Sequence, residues 1–215
     1  MAIDVKICGL KTPAAVNASV EGGARMLGFN FYAPSSRCIT PALAGALGQL
    51  VPPHVVKVGL VVDADDAAIA SILAEAKLDM LQLHGHETPE RTAEVRSRFG
   101  LPVMKVISVS EAADVAAAQR FEPVADRLLF DAKPPKAMKD ALPGGNAISF
   151  DWSLLQGQNF GRPWMLAGGL HAGNVAEAVR ATGAKAVDLS SGVEDRPGEK
   201  SLSKIKTFLA LAQTL

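Results

Sequence analysis

Residues 164–193 read WMLAGGLHAGNVAEAVRATGAKAVDLSSGV, and this stretch decides the fold. A short apolar run, Trp164–Ala167, ends in Gly168-Gly169. A stretch of helical spacing, Ala172–Ala181, leads to a second apolar run, Ala186–Leu189, which ends in Ser190-Ser191-Gly192. The order is strand, glycine turn, helix, strand, glycine turn, which is how parallel β/α units are written. Glycine lets the chain approach an anion with no Cβ in the way, and open N–H groups near a helix start carry partial positive charge. One such turn is as readily a simple chain reversal. Two on successive units point to a phosphorylated small molecule.

Outward from this segment the alternation continues to the start of the chain. The candidate strands are Asp4–Cys8, Met26–Phe31, Val55–Val62, Met80–His84, Val103–Ile107, Arg127–Asp131, Trp164–Ala167 and Ala186–Leu189. The candidate helices are Pro13–Glu21, Pro41–Leu50, Asp66–Ala76, Pro89–Phe99, Ala112–Phe121, Trp152–Gln156, Ala172–Ala181 and Leu202–Ala212. Thr12, Thr40, Thr88 and Ser201 stand where N-caps belong, three of them with proline at the next position. Eight repeats with no linker or composition break predict an α/β fold, one (β/α)₈ TIM-barrel domain over residues 1–215. An open doubly wound sheet is the alternative, but no Gly-x-Gly-x-x-Gly follows the first strand.

Of the 215 residues 48% are hydrophobic, enough for one sizeable core. Lys+Arg and Asp+Glu are equal at 22 each, so no net field favours nucleic acid or an anionic membrane. No run approaches the roughly 18 apolar residues of a membrane span, and Met1–Lys6 lacks the pattern of a signal peptide, so a cytoplasmic location is expected. Cys8 and Cys38 are too few for a disulfide scaffold and lack zinc spacing.

Polarity enters at the strand ends. Side chains alternate along a strand, so Lys6 shares a face with Cys8, Gln82 with His84, and Asp188 with Ser190. Barrel enzymes build their sites at the C-terminal strand ends, where Cys8, Asn30, His84, Asp131 and Asp188 all stand. Lys6 and the helix start at Thr12-Pro13 are expected to favour the Cys8 thiolate. Asp131 follows the apolar Leu128-Leu129-Phe130, where desolvation is expected to keep a carboxyl partly protonated. Thiolate base and carboxylic acid together suit an aldose–ketose isomerisation. Asp131 is equally placed to be a turn residue before Lys133-Pro134-Pro135. Arg37, in the loop after the second strand, suits a ligand carboxylate if it is not an ordinary surface arginine. His84-Gly85-His86 has no metalloprotease spacing and no clustered partners, so no metal is assigned.

In combination, Lys6-Ile7-Cys8-Gly9-Leu10, Ser35-Ser36-Arg37, Leu81-Gln82-Leu83-His84-Gly85, Phe130-Asp131, Phe150-Asp151-Trp152, Leu166–Leu170 and Val187–Glu194 resemble the phosphoribosylanthranilate isomerase family over nearly the whole chain. The resemblance implies an Amadori rearrangement of N-(5-phosphoribosyl)anthranilate in tryptophan biosynthesis, with no cofactor and no metal. It implies Asp131 as the general acid at the ring oxygen and Cys8 as the base at sugar C2. Arg37 would hold the anthranilate carboxylate, and amides around Gly168, Gly169, Ser190, Ser191 and Gly192 would hold the phosphate. His84 and Asp188 match family positions with a hydrogen-bonding role near the substrate. The implied partner is this one small molecule; monomer and homodimer are both open. The chain departs from the family at Gly144-Gly145-Asn146-Ala147, where the family carries Gly-Gly-Thr-Gly, and alanine tolerates positive φ poorly. Two other readings of the phosphate turns are another sugar-phosphate barrel enzyme, such as an epimerase or synthase, and a non-catalytic sensor.

Overall fold

Asp4–Cys8 (β1) pairs in parallel with Met26–Asn30 (β2) on one side and with Ala186–Leu189 (β8), from the far end of the chain, on the other. Those two pairings close the ring. The computed structural model describes residues 2–135, 138 and 142–215 and is an eight-stranded parallel barrel with its strands in chain order. The remaining strands are Val56–Val61 (β3), Met80–Leu83 (β4), Val103–Val109 (β5), Arg127–Ala132 (β6) and Trp164–Leu166 (β7). The open-sheet alternative is excluded, and the expected strands differ only at their ends.

The helices between them are Pro13–Glu21 (α1), Pro41–Gly48 (α2), Asp66–Glu75 (α3), Pro89–Phe99 (α4), Ala112–Ala117 (α5), Val175–Thr182 (α6) and Leu202–Ala212 (α7). Thr12, Thr40 and Thr88 cap α1, α2 and α4 as expected, each hydroxyl accepting a backbone N–H three residues on. Ser201 does not: its hydroxyl is engaged with Ser203 Oγ at 3.1 Å. Trp152–Leu155 forms only a 3₁₀ turn, and α5 passes into another at Ala118–Phe121. The helix expected at Ala172 starts three residues later, at Val175, because the Asn174 side chain ties the preceding turn. It accepts the His171 N–H (2.8 Å) and donates to Gly169 O (3.0 Å).

Parallel strands covered on both faces bury both sets of side chains. One set packs outward against the helices, with Ile7, Leu27, Phe29, Leu81, Leu83 and Phe130 among its members. The other fills the barrel interior with Met26, Val58, Met80, Met104, Val106, Leu129 and Met165. The apolar inner layers stop short of the C-terminal mouth, where polar side chains replace them. A short hairpin, Glu194–Arg196 (β9) with Glu199–Lys200 (β10), follows the last barrel strand. It lay outside the sequence expectations. No described helix is long and apolar enough to cross a membrane.

Candidate active site

One cavity at the mouth of the barrel is lined by Cys8, Asn30, Arg37, Gln82, His84, Asp131, Gly168, Gly169, Asp188, Ser190 and Ser191. It brings together every candidate from the sequence except Gly192. That glycine packs against the first glycine turn, where a Cβ would collide with the Leu170 carbonyl, and it serves the contact between the two turns. Gly168 and Gly169 both have positive φ, 89° and 60°, and their amides have no acceptor among the described residues. Their N–H groups are left open toward the cavity that both residues line. The second glycine turn leads into a three-residue 3₁₀ turn, Ser191–Val193, so neither turn runs directly into an α-helix as expected. The open N–H groups here belong to turn amides and not to a helix N-terminus.

Cys8 closes β1 opposite Gly28 of β2, and a Cβ on Gly28 would lie 2.8 Å from Cys8 Sγ. The missing side chain is the room the thiol occupies. Beside it, Lys6 is fully buried and its Nζ donates to Asp188 Oδ1 at 2.9 Å, in register across the β1–β8 pair. Burial works against the Lys6 charge, yet Asp188 and the charge that Cys8 carries when ionised raise its pKa overall. At Cys8 the balance goes the other way. Burial pushes the thiol above its ordinary 9.0, Asp188 adds to the rise, and Lys6 and Lys200 recover only part of it. The expected depression of this thiol is therefore overturned by desolvation.

Asp131 stands near the end of β6, buried, with Oδ1 accepting the Ala132 N–H at 2.9 Å. Its Oδ2 lies 3.4 Å from His84 Nε2, which has no hydrogen-bond partner among the described residues. His84 is held from below. Lys105 on β5 donates to Gly85 O (2.8 Å) and Glu87 Oε2 (2.7 Å), while Glu87 accepts the N–H groups of Gly85 and Asp63. The buried Lys105–Glu87 pair thus shapes the loop that carries the histidine.

Arg37 is buried, which disposes of the surface-arginine reading. Asn30 and Ser35 fix its loop: Asn30 donates to Ser35 Oγ (3.3 Å), which also accepts the Arg37 N–H (3.2 Å). Its guanidinium is already half engaged. Nε and Nη2 each donate to one oxygen of Glu194 at 2.8 Å, and Nη2 reaches the Gly145 carbonyl at 3.3 Å. Lys200 donates to Glu194 Oε1 (2.7 Å) and Ser190 O (2.9 Å). Burial disfavours the Glu194 charge, but Arg37 and Lys200 outweigh it and hold the carboxyl at about 2. Burial lowers the Lys200 pKa, and Glu194 opposes that fall.

Described residues of the segment after β6, 142–146 and Ile148, line the mouth. A Cβ on Gly144 would collide with Asp131 Oδ2 and the His84 ring, so backbone lies directly on both groups. Asn146 ties the loop to itself, accepting the Leu142 N–H (3.1 Å) and donating to Leu142 O (2.7 Å). Ala147 does adopt positive φ, at 57°.

Sequence reasoning missed Glu194, Lys200 and Gln82 as parts of the site. Gln82 is fully buried and both its carboxamide atoms lack partners among the described residues. Its signal, one amide inside the apolar Leu81-Gln82-Leu83, was visible. Lys200 had no local signal. No group of three or more His, Cys, Asp or Glu side chains suited to a metal ion stands among the described residues.

The family model described as N-(5'-phosphoribosyl)anthranilate (PRA) isomerase matches residues 5–210. An N-(5'-phosphoribosyl)anthranilate isomerase from Paramagnetospirillum magneticum is 56% identical over 213 residues, 99% of this chain and 98% of that protein. The phosphoribosyl anthranilate isomerase structure from Thermotoga maritima superposes with a TM-score of 0.87 at 35% identity, covering 99% of this chain and 100% of that one. Another such structure, in complex with reduced 1-(o-carboxyphenylamino)-1-deoxyribulose 5-phosphate, gives 0.84 at 33% identity with the same coverage. A closed barrel with this mouth, matched over its whole length in sequence and in shape, belongs to the phosphoribosylanthranilate isomerase family.

Proposed function

We propose that the chain catalyses the Amadori rearrangement of N-(5-phosphoribosyl)anthranilate to 1-(2-carboxyphenylamino)-1-deoxyribulose 5-phosphate, a step of tryptophan biosynthesis in the cytoplasm. The observation that carries the reading is the joining of Cys8 and Asp131, far apart in sequence, in one cavity that also holds open glycine amides and a buried arginine. Asp131 protonates the furanose oxygen, and the ring opens to an iminium ion on the substrate's own nitrogen. Cys8 then removes the C2 proton, which the iminium has made acidic, so the electron sink belongs to the substrate. The glycine and serine turns hold the phosphate and Arg37 the carboxylate, and two anchors fix the reacting carbons between acid and base. His84 and Asp188 bind the sugar portion. A buried arginine in the same cavity as the open glycine amides suits a ligand that carries a carboxylate as well as a phosphate, which an epimerase on a plain sugar phosphate would not need.

Cys8→Ala and Asp131→Asn are each expected to lose at least about 10²-fold in kcat. The decay of anthranilate-type fluorescence from freshly made substrate measures it. Near-normal turnover in either folded variant removes that residue from its role.

A further inference from the structure

Arg37 offers a ligand only what Glu194 leaves over. With Nε and Nη2 taken by the two carboxylate oxygens, Nη1 is the one guanidinium nitrogen with no hydrogen-bond partner among the described residues. The side-on edge, the usual bidentate face toward a carboxylate, is closed to the ligand. Gly9 and Gly145 flank the side chain, their Cβ positions 2.8 Å from Arg37 Cδ and 2.7 Å from Nη1 respectively, so the guanidinium has little freedom to turn.

A buried Arg–Glu pair alone is neutral and would attract an anion weakly. Lys200, on the same carboxylate from the other side, brings the three-charge cluster to one net positive. Such a cluster is poor value as stabilisation, because apolar packing of equal volume commonly serves as well or better. Its geometry fits a different task. We propose that Glu194 is a positioning residue that makes the site selective for a carboxylated ligand, by turning Arg37 so that its Nη1 end meets the anion while Lys200 preserves the cluster's single positive charge.

The proposal rests on Arg37 as the carboxylate anchor, and the test separates the two. Calorimetry would compare reduced 1-(o-carboxyphenylamino)-1-deoxyribulose 5-phosphate with the same compound lacking the ring carboxylate, on wild type, Glu194→Gln and Arg37→Ala. Wild type is expected to prefer the carboxylated compound by about tenfold or more, the size of one charge-assisted contact. Glu194→Gln should lose that preference to within about threefold while still binding the other compound within about twofold. Its KM should rise by about tenfold with kcat within about threefold.

If Arg37→Ala loses the preference and Glu194→Gln keeps it, the positioning role is overturned and the anchor stands. If Arg37→Ala also keeps the preference, the anchor falls and the positioning role falls with it. Equal weakening toward both compounds in Glu194→Gln means a structural role only and overturns the proposal. Should Glu194→Gln not fold, the Glu194→Gln, Lys200→Met double variant removes one charge of each sign, keeps the net charge of the cluster, and is read by the same criteria.

Discussion

Cys8 shows how far one residue's chemistry depends on surroundings that its neighbours in sequence do not reveal. Lys6 two positions away and the start of α1 argued for a reactive thiolate, and both are where they were expected. Desolvation exceeds them, so the resting residue is a thiol with its pKa above 9.0. A base of this kind makes turnover rise with pH: kcat/KM should climb through an inflection above 9.0, and a Cys38→Ser background should show the same inflection in Cys8 alkylation by iodoacetamide. An inflection near 7 would contradict the burial argument. Arg37 was legible as a candidate but its partner was not, since Glu194 lies 157 positions away. Asp131 was legible because a lone carboxylate closes an apolar strand, whereas its contact with His84 depends on β4 and β6, which are not neighbours in the barrel.

Among the elements, the loop after β6 departs furthest from pattern-based expectation. Strand and helix periods say nothing about a segment that has neither, and the 3₁₀ turn at Trp152–Leu155 replaces the helix that would have completed the sixth unit. Over its residues 142–146 side-chain chemistry replaces those periods, through the paired bonds of Asn146 to Leu142. Ala147 follows in the left-handed region, at a strain of about 1 kcal/mol for an L-residue. Glycine would relieve this strain but add about 0.5–1 kcal/mol of unfolded-chain entropy. The two nearly cancel, so Ala147→Gly is expected to leave stability in urea unchanged within about 0.5 kcal/mol. The β-branched Ala147→Val should lose about 1 kcal/mol or more, as its Cβ substituents crowd the backbone further. Equal losses in both variants would show that strain is not what distinguishes this position.

At the scale of the whole molecule, ring closure sets β1 against β8 and with it Lys6 against Asp188 and Cys8 near the second glycine turn, whose Ser190 hydroxyl donates to Cys8 O at 3.3 Å. The same mouth carries a stability term that follows pH. Glu194 titrates at about 2 when folded against 4.5 ordinarily, so the unfolded chain takes up its proton first as acid is added. Its contribution is complete above pH 4.5 and disappears as pH falls toward 2, at a size of about 3 kcal/mol. The stability gap between wild type and Glu194→Gln should therefore narrow by about that amount between pH 5 and pH 2 in chemical denaturation. A gap independent of pH would refute it. The sequence by itself determined the alternation of strand and helix, the caps at Thr12, Thr40 and Thr88, and the polar residues at strand ends, because periods of 2 and 3.6 and capping bonds act over a few residues. Only the tertiary structure decided that Arg37 and Lys200 share Glu194, that Gln82 stands in the mouth with no partner among the described residues, and that Cys8 rests as a thiol. Each of those depends on which groups share a buried volume and on how much water leaves it, and no local spacing encodes either.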